Sequence, residues 1–245
     1  MKLKVDIIAK SIGEVTQIER LNIRIQYLYH SGFVVETDNN LLVFDYYQGS
    51  VKLTEKNILV FSSHGHSDHF NPLILEWQKE RPDINYILSS DISIQQKNDN
   101  IKFISPYEET QIENINIKTY GSTDLGVSFL VKCDGITIFH AGDLNWWYWW
   151  GESQEEIEKA EKGFKDEIAK IKEERIDIAF FPVDPRLEHN YCVGADYFIS
   201  KVNPKFFIPM HFADDHEAAK KYADKMKDYP NKVIEIAHRG QEITL

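Results

Sequence analysis

Residues 58–70 read ILVFSSHGHSDHF, an apolar run that passes directly into three histidines and an aspartate within six positions. The β-branched and aromatic residues predict a buried strand, and the polar residues after it predict a loop at its carboxyl end. Imidazole and carboxylate groups together suit zinc, iron and manganese ions. The stretch therefore predicts a metal-binding loop at one edge of a sheet.

Short apolar segments with strand character surround this loop on both sides. They are residues 23–37, 41–47, 84–90, 101–105, 115–120, 126–134 and 136–143. Asn71 followed by Pro72 predicts the beginning of a helix directly after the loop, and Asp134-Gly135 predicts a two-residue hairpin turn. An antiparallel meander is the simplest interpretation of the strands after the loop.

The second half of the chain alternates helices and strands. Ser153 and Glu156 form a capping box, and apolar residues follow at helical spacing up to residue 171. The remaining segments predict strands at 176–184, 205–212 and 232–245 and helices at 195–202 and 214–226. No repeat or break in composition divides the chain, so we expect residues 1–245 to form one α/β domain.

Composition excludes several classes of protein. The chain of 245 residues carries 28 basic and 39 acidic side chains, a formal net charge of −11, which disfavours partners such as nucleic acids and anionic membranes. Two cysteines, Cys133 and Cys192, are too few for a disulfide scaffold. No signal peptide or run of about 18 apolar residues is evident. We expect a cytoplasmic protein with a small-molecule substrate; homo-oligomerisation stays open.

The H-x-H-x-D-H string formed by His64, His66, Asp68 and His69 resembles the signature of the metallo-β-lactamase superfamily. The resemblance extends from about residue 27 to the end of the chain. The local sequences HSGF, HAGD and PMHF are most similar to those of the branch that contains ascorbate-6-phosphate lactonase. The resemblance implies a four-layer αββα sandwich with a metal centre at one edge of the sheets.

Three further residues match the order in which the family's metal-centre residues follow one another along the chain. Asp45, at the end of LLVFD, resembles the carboxylate that braces the metal loop. Asp143, in HAGD, resembles the carboxylate that bridges two metals, and His211, in FIPMH, resembles the late ligand. On an extended loop, His64 and His66 can share one ion while Asp68 and His69 reach toward another. The resemblance adds His211 as a further metal ligand.

The resemblance also implies a reaction. Two divalent ions, zinc first with manganese or iron as alternatives, would supply a hydroxide that attacks an ester, lactone, amide or phosphoester of a sugar-like or phosphorylated substrate. Asp68 would orient this hydroxide or take its proton. Three alternatives remain: a nuclease or phosphodiesterase, which the negative charge disfavours; a di-iron redox enzyme; and a catalytically silent metal-binding protein.

One residue type departs from the family pattern. The third ligand of the first ion is usually a histidine between the string and the bridging aspartate, and residues 119–126 read TYGSTDLG instead. Asp124 lies where this ligand is expected, so it is either a substitute ligand or a residue that favours the turn. A carboxylate here would make the first site less selective for zinc.

The remaining candidates belong to the surroundings of the metals. His140, three residues before Asp143, has an expected role behind the ligands or in the core. Trp146 and Trp147 form either a pocket wall or part of the core, and Arg186 either binds an anionic substrate group or pairs with Glu188. Three histidines stay without an assigned role: His30, His189 and His238.

Overall fold

The protein is built around two mixed β-sheets, each with seven strands in the part of the chain that the structure describes. The structure is a computed structural model, and it describes residues 23–95, 98–229 and 232–245. The first sheet contains β1 (Arg24–Tyr29), β2 (Gly32–Glu36), β3 (Asn40–Phe44), β4 (Asn57–Ser62), β5 (Asn85–Ser89), β6 (Ile101–Ile104) and β14 (Glu242–Thr244). β1, β2 and β3 pair antiparallel, β3 to β6 pair parallel, and β14 lies beside β1.

The second sheet contains β7 (Glu109–Ile112), β8 (Ile115–Tyr120), β9 (Ser128–Cys133), β10 (Ile136–His140), β11 (Ile178–Pro182), β12 (Phe206–Met210) and β13 (Lys232–Val233). β7 to β10 form an antiparallel meander, which confirms the expectation for this segment. β10 to β13 are parallel. The meander does not extend back to β5 and β6. These strands return by crossover connections, so that β5 pairs parallel with β4 and β6 pairs parallel with β5.

Helices cover the outer faces of both sheets. A 3₁₀ helix, Pro72–Lys79, lies on the first sheet, and the helices α1 (Gln154–Ile171), α2 (Val193–Val202) and α3 (His216–Met226) lie on the second. The predicted Asn71 cap is confirmed, because its side chain accepts a hydrogen bond from Leu73 N–H, although the turn that follows is 3₁₀. The predicted αββα sandwich is therefore confirmed.

Alternation along the strands explains the layers. In β4, Leu59 and Phe61 face the core between the sheets, and Ile58 and Val60 face the 3₁₀ helix. Both faces are buried, so the strand reads as a continuous apolar run. Phe61 meets Phe129 of the second sheet with ring centroids 5.3 Å apart. None of the helices in the described residues combines the length and apolar character needed to cross a bilayer.

Residues 232–245 form two short strands in different sheets, so the prediction of one strand is wrong. β13 pairs with β12, the intervening residues cross between the sheets, and β14 pairs with β1. Gly240 lies in this crossing with a φ of +74°, a left-handed conformation that interrupts an extended strand.

The strand directions bring seven loops to one edge. β1, β3 and β4 run in the same direction, and so do β8, β10, β11 and β12 in the other sheet. The loops that follow these strands carry His30, Asp45, the string at 64–69, Asp124, Asp143, Asp184 and His211. All the candidate ligands therefore reach the same edge of the sandwich.

Candidate metal centre

Two groups of potential metal ligands lie side by side at this edge. The first group consists of His64, His66, Asp124 and Asp143, and the second of His30, His69 and His211. Within each group, the candidate ligand atoms all lie within 4.8 Å of one another. The structure thus brings the predicted Asp124 together with His64 and His66, and it adds His30, for which the sequence suggested no definite role.

Asp143 lies between the two groups. Its Oδ2 is 3.5 Å from His64 Nε2, and its Oδ1 is 3.2 Å from His69 Nε2 and 3.1 Å from His211 Nε2. One oxygen faces each group, an arrangement that allows a single carboxylate to contact two cations. This is the placement that the resemblance implied for Asp143.

Several buried polar atoms at this edge lack a partner, which indicates whether the residues here could bind metal ions. His30 Nε2, His69 Nε2 and Asp143 Oδ1 are buried, and no hydrogen bond satisfies them. Such an unsatisfied atom costs about 1–3 kcal/mol, and three of them converge here. His64 Nε2 and His66 Nδ1 also approach to 3.0 Å. Cations would satisfy these atoms, and the mixed imidazole and carboxylate set fits divalent metals.

Protonation differs between the imidazoles of the second group. Burial, together with the neighbouring His211 and His69, lowers the pKa of His30 to about 3, so His30 offers a neutral nitrogen. Burial alone would lower the pKa of His211, but Asp143 and Asp184 raise it to about 10. A cation in this group must therefore displace a proton from His211.

Asp45 braces the metal loop from behind. Its Oδ1 accepts a hydrogen bond from Ser63 N–H at 2.7 Å, and its Oδ2 pairs with both Ser63 Oγ and His69 Nδ1 at 2.7 Å. The bond to Nδ1 leaves His69 Nε2 directed at Asp143. An outer carboxylate of this kind orients a ligand imidazole and raises its basicity.

His140 also lies behind the ligands, fully buried. Its Nε2 donates to Ser31 O at 2.9 Å, and its Nδ1 accepts from Gly142 N–H at 3.2 Å, which together define a neutral tautomer. His140 therefore ties the turn that carries His30 to the loop that carries Asp143.

The loop that carries Asp124 is held against the string. Asp124 Oδ2 lies 3.7 Å from His66 Nδ1, and its side chain is 48% exposed. Gly126 has a φ of +73°, and a Cβ there would lie 2.0 Å from Ser63 O, so the close approach requires glycine.

Glu167 of α1 anchors the other end of this loop and was missed by the sequence analysis. Its Oε1 accepts from Gly121 N–H at 2.7 Å, and its Oε2 pairs with Tyr107 Oη and Lys170 Nζ. The helical periodicity of the sequence gives no signal for this role, because Glu167 lies among other charged residues of α1. The glutamate is nevertheless buried.

We expect Glu167→Ala to destabilise the protein by about 1–3 kcal/mol, because Gly121 N–H and Tyr107 Oη lose a buried acceptor. Urea denaturation of the metal-free protein measures this change. Glu167→Gln keeps an oxygen for Gly121 and should lose less. Glu158→Ala, on the exposed face of α1, is the control, and an equal effect of all three variants would contradict the anchoring role.

Asp68 lies beside the two groups and belongs to neither. Its side chain is 46% exposed, and its Oδ2 is 3.4 Å from His30 Nε2. The structure adds His30 to the second group, and the assignment of Asp68 as a metal ligand stays a prediction. The sequence signal that could have identified His30 is its position directly after β1, a strand that ends at the metal edge as β3 and β4 do.

A cavity of about 660 Å³ opens onto the first group and Asp143. Trp147, Trp149, Lys159 and Arg186 line it. Trp147 Nε1–H donates to Asp143 O at 3.2 Å, and its ring stacks on Trp149 at an interplanar angle of 7°. The wall is therefore flat, aromatic and attached to Asp143.

Trp146 lies elsewhere than predicted for a pocket wall. Its ring packs against Phe164 and Tyr197 in the core, with Lys165 Nζ 4.7 Å above it, and it does not line the cavity. Trp149 occupies the wall instead. The reason is that α1 packs over Trp146 and excludes it from the metal edge.

Arg186 pairs with Asp184 and not with Glu188. Its Nε and Nη2 donate to the Asp184 carboxylate, whose Oδ2 also lies 3.1 Å from His211 Nδ1. Burial opposes ionisation of Asp184, but hydrogen bonds from His211 and Arg186 lower its pKa to about 2. Arg186 thereby supports a ligand and presents the rest of its guanidinium, with a side chain 59% exposed, to the cavity.

A second cavity of about 550 Å³ opens on the other side of the centre, lined by Tyr29 and Tyr47 among others. Asp68, Arg186 and His211 line both cavities, so the centre is open on two sides. His189 and His238 are exposed and belong to neither ligand group among the described residues.

Comparisons with known proteins agree with this fold. A family model described as "Beta-lactamase superfamily domain" matches residues 24–148. The chain matches no curated protein. Among solved structures, a metallo hydrolase, Igni18, from Ignicoccus hospitalis is 17% identical with a TM-score of 0.64, and the match covers 91% of this chain and 98% of that one.

Two further structures have the same fold. The metallo-beta-lactamase fold protein YhfI from Bacillus subtilis is 12% identical with a TM-score of 0.61, over 90% of this chain and 98% of that one. CmlA, a diiron beta-hydroxylase from Streptomyces venezuelae, is 10% identical with a TM-score of 0.58, over 91% of this chain and 54% of that one. At these identities the likeness concerns the fold alone.

Proposed function

Since this chain belongs to the beta-lactamase superfamily, we propose that it is a metal-dependent hydrolase of a small-molecule ester, lactone or phosphoester. The observation that supports this most is the position of Asp143, with one carboxylate oxygen facing each ligand group. Divalent ions bound in the two groups would lower the pKa of water toward about 7 and polarise the scissile oxygen.

The protein side chains supply the remaining functions. Asp68 is half exposed and lines both cavities, so its carboxylate can take a proton from the attacking water and return it to the leaving group. Substrate can extend on both sides of the scissile bond, because both cavities reach the centre.

The cavity walls favour an anionic substrate with a flat face. Arg186 and Lys159 are the cations of the larger cavity, and charged hydrogen bonds to a phosphate or carboxylate are strong. Trp147 and Trp149 provide a flat apolar surface. Together with the resemblance to the ascorbate-6-phosphate lactonase branch, this makes phosphorylated sugar lactones the first class to test.

A redox function is the second candidate, and Asp124 is the observation that favours it. A carboxylate beside two imidazoles suits iron better than an all-histidine set does. Two iron ions without hydrolytic activity would support this candidate over the first.

We also propose a cytoplasmic location and a small molecule as the main partner. Cys133 and Cys192 are both free and buried thiols, which is typical of a reducing compartment. The net charge of −11 supports the expectation that neither nucleic acid nor anionic membrane is a partner.

The experiment compares glucono-δ-lactone with its 6-phosphate, a pair that differs only in the anionic group. We expect metal-dependent hydrolysis above the uncatalysed rate, with a lower KM for the phosphorylated lactone. Arg186→Gln should raise that KM by about 10-fold to 100-fold, the equivalent of a lost charged hydrogen bond. The neutral lactone should change much less, because it loses only the indirect support that Arg186 gives to His211 through Asp184.

Lys162→Gln is the control for the loss of a cation, because Lys162 of α1 pairs with Asp166 outside the cavity. The proposed function would be contradicted if protein that contains two metal ions hydrolyses neither lactone and none of a wider set of phosphodiesters and esters. Equal KM values for both lactones in the wild type and in Arg186→Gln would contradict the anionic substrate class alone.

A further inference from the structure

Helix α1 presents one of its faces to the larger cavity. Glu156, Lys159, Ala160 and Gly163 all line this cavity, and they follow one another at the spacing that places side chains on one face of a helix. The candidate metal ligands lie in loops outside α1. This helix face therefore borders the part of the cavity that does not hold the reacting bond.

Lys159 differs from the other lysines of α1. Three of the four lysines pair with carboxylates of the same helix, namely Lys162, Lys165 and Lys170. Lys159 makes no ion pair or side-chain hydrogen bond with any residue that the structure describes, although Glu155 lies four residues before it. Its ammonium group is exposed in the cavity and is available to an anion.

Two carboxylates line the same part of the cavity. Glu156 is engaged in the capping box, where its Oε2 accepts hydrogen bonds from Ser153 N–H at 3.0 Å and from Ser153 Oγ–H at 2.7 Å. Glu152 is exposed, so that water and salt screen its charge. Neither carboxylate forms an ion pair that would neutralise Lys159.

Gly163 leaves space in front of this lysine. Glycine within a helix is less stable than alanine, yet Gly163 lies in the middle of α1. A Cβ at this position would meet no heavy atom within 4 Å, so no packing contact requires a glycine. Ala160, on the same face, is also small. The missing side chains enlarge the cavity at the cost of helix stability, which points to a ligand group that occupies the space.

Arg186 and Lys159 are cations at different positions of the cavity. Arg186 donates to the Asp184 carboxylate, and its Nη2 lies 3.4 Å from His211 Nδ1, directly beside the metal centre. Lys159 contacts no candidate metal ligand among the described residues. Substitution of Lys159 can therefore change substrate binding without disturbing the metal centre.

We propose that Lys159, Ala160 and Gly163 form a distal subsite, which binds an anionic group of the substrate remote from the scissile bond. Lys159 supplies the charge, and Gly163 supplies the space that the group occupies. The inference rests on the proposed function only for the position of the reacting group at the metal centre.

The test measures the binding of gluconate and 6-phosphogluconate to the metal-loaded protein by calorimetry. These acids are the hydrolysis products of the two lactones, and both carry a carboxylate for the metal centre. Only the second carries a phosphate at the other end of its carbon chain. We expect 6-phosphogluconate to bind at least about tenfold more tightly, which corresponds to one charged hydrogen bond. Lys159→Gln should remove most of this difference and should change gluconate binding much less.

Gly163→Leu separates a blocked subsite from a damaged fold. Leucine is a good helix former and its side chain meets open space here, so the thermal unfolding temperature should rise. The same side chain should weaken the binding of 6-phosphogluconate at least as much as Lys159→Gln does, because it fills the subsite. A damaged fold would lower both the unfolding temperature and the affinity.

Lys162→Gln is the matched control, because Lys162 belongs to the same helix but pairs with Asp166 outside the cavity. It should bind both acids as the wild type does. Equal affinity of the wild type for the two acids would overturn the subsite. An unchanged preference for 6-phosphogluconate in Lys159→Gln or in Gly163→Leu, or an equal loss in Lys162→Gln, would also overturn it. These readouts need no turnover, so a protein that shows the expected binding but hydrolyses neither lactone contradicts the proposed function alone.

Discussion

Asp143→Asn is expected to weaken both metal sites and to lower hydrolysis by about 10³-fold or more. The physical reason is that the two oxygens of Asp143 face different ligand groups, and an amide nitrogen replaces one of these anionic donors. Loss of metal removes several kcal/mol of transition-state stabilisation, and roughly 4 kcal/mol corresponds to a thousandfold change in rate.

Burial opposes ionisation of Asp143, but His211 and His69 hold its pKa well below its usual value. The carboxylate is therefore charged throughout the working pH range, and the asparagine variant removes a full negative charge. Elemental analysis should show both ions depleted. Asp166→Asn, on the exposed face of α1, is the control for removal of an aspartate.

Single histidine variants separate the two sites. His66→Ala should deplete the ion of the first group, and His211→Ala that of the second, because each histidine belongs to one group only. If Asp143→Asn depletes only one ion, Asp143 does not bridge. Full metal content in both histidine variants would contradict the site as a whole.

The sequence predicted most of the metal edge because its polar residues follow short apolar strands. Asp45, His64 and His211 come within one or two residues of the end of β3, β4 and β12. Parallel pairing of β3 with β4 brings Asp45 and His64 to the same edge without any knowledge of the packing between the sheets, whereas His211 follows a strand of the other sheet.

Features that depend on packing could not be predicted in the same way. His30 reaches the second group because β1 and β12 meet through its backbone, and Glu167 reaches Gly121 because α1 lies on β8. The run WWYWW at 146–150 carries no periodicity that separates a core tryptophan from a wall tryptophan. Helix α1 decides this by covering Trp146.

Asp124→Ala is expected to lose one metal equivalent and most of the activity. Without Asp124, the first group keeps two imidazoles and one oxygen of the shared Asp143. Metal sites usually need at least three protein ligands on each ion, so a site that depends on a shared ligand becomes weak. Elemental analysis and the lactone assay measure the two effects separately.

Asp124→His supplies an imidazole where the carboxylate stood. We expect this variant to bind two ions again and to prefer zinc in both groups, because the first group then contains three histidines. Under equimolar zinc and manganese, the variant should therefore bind a larger share of zinc than the wild type does.

The position of Asp124 on an exposed loop makes a control for loop structure necessary. Ser122 Oγ accepts a hydrogen bond from Asp124 N–H at 3.2 Å, so Ser122→Ala perturbs the turn and leaves the carboxylate in place. This variant should retain both ions. Two outcomes would contradict the ligand role of Asp124: full metal content and activity in Asp124→Ala, or an equal loss of metal in Ser122→Ala and Asp124→Ala. In either case Asp124 contributes only to the turn, and His64, His66 and Asp143 alone hold the first ion.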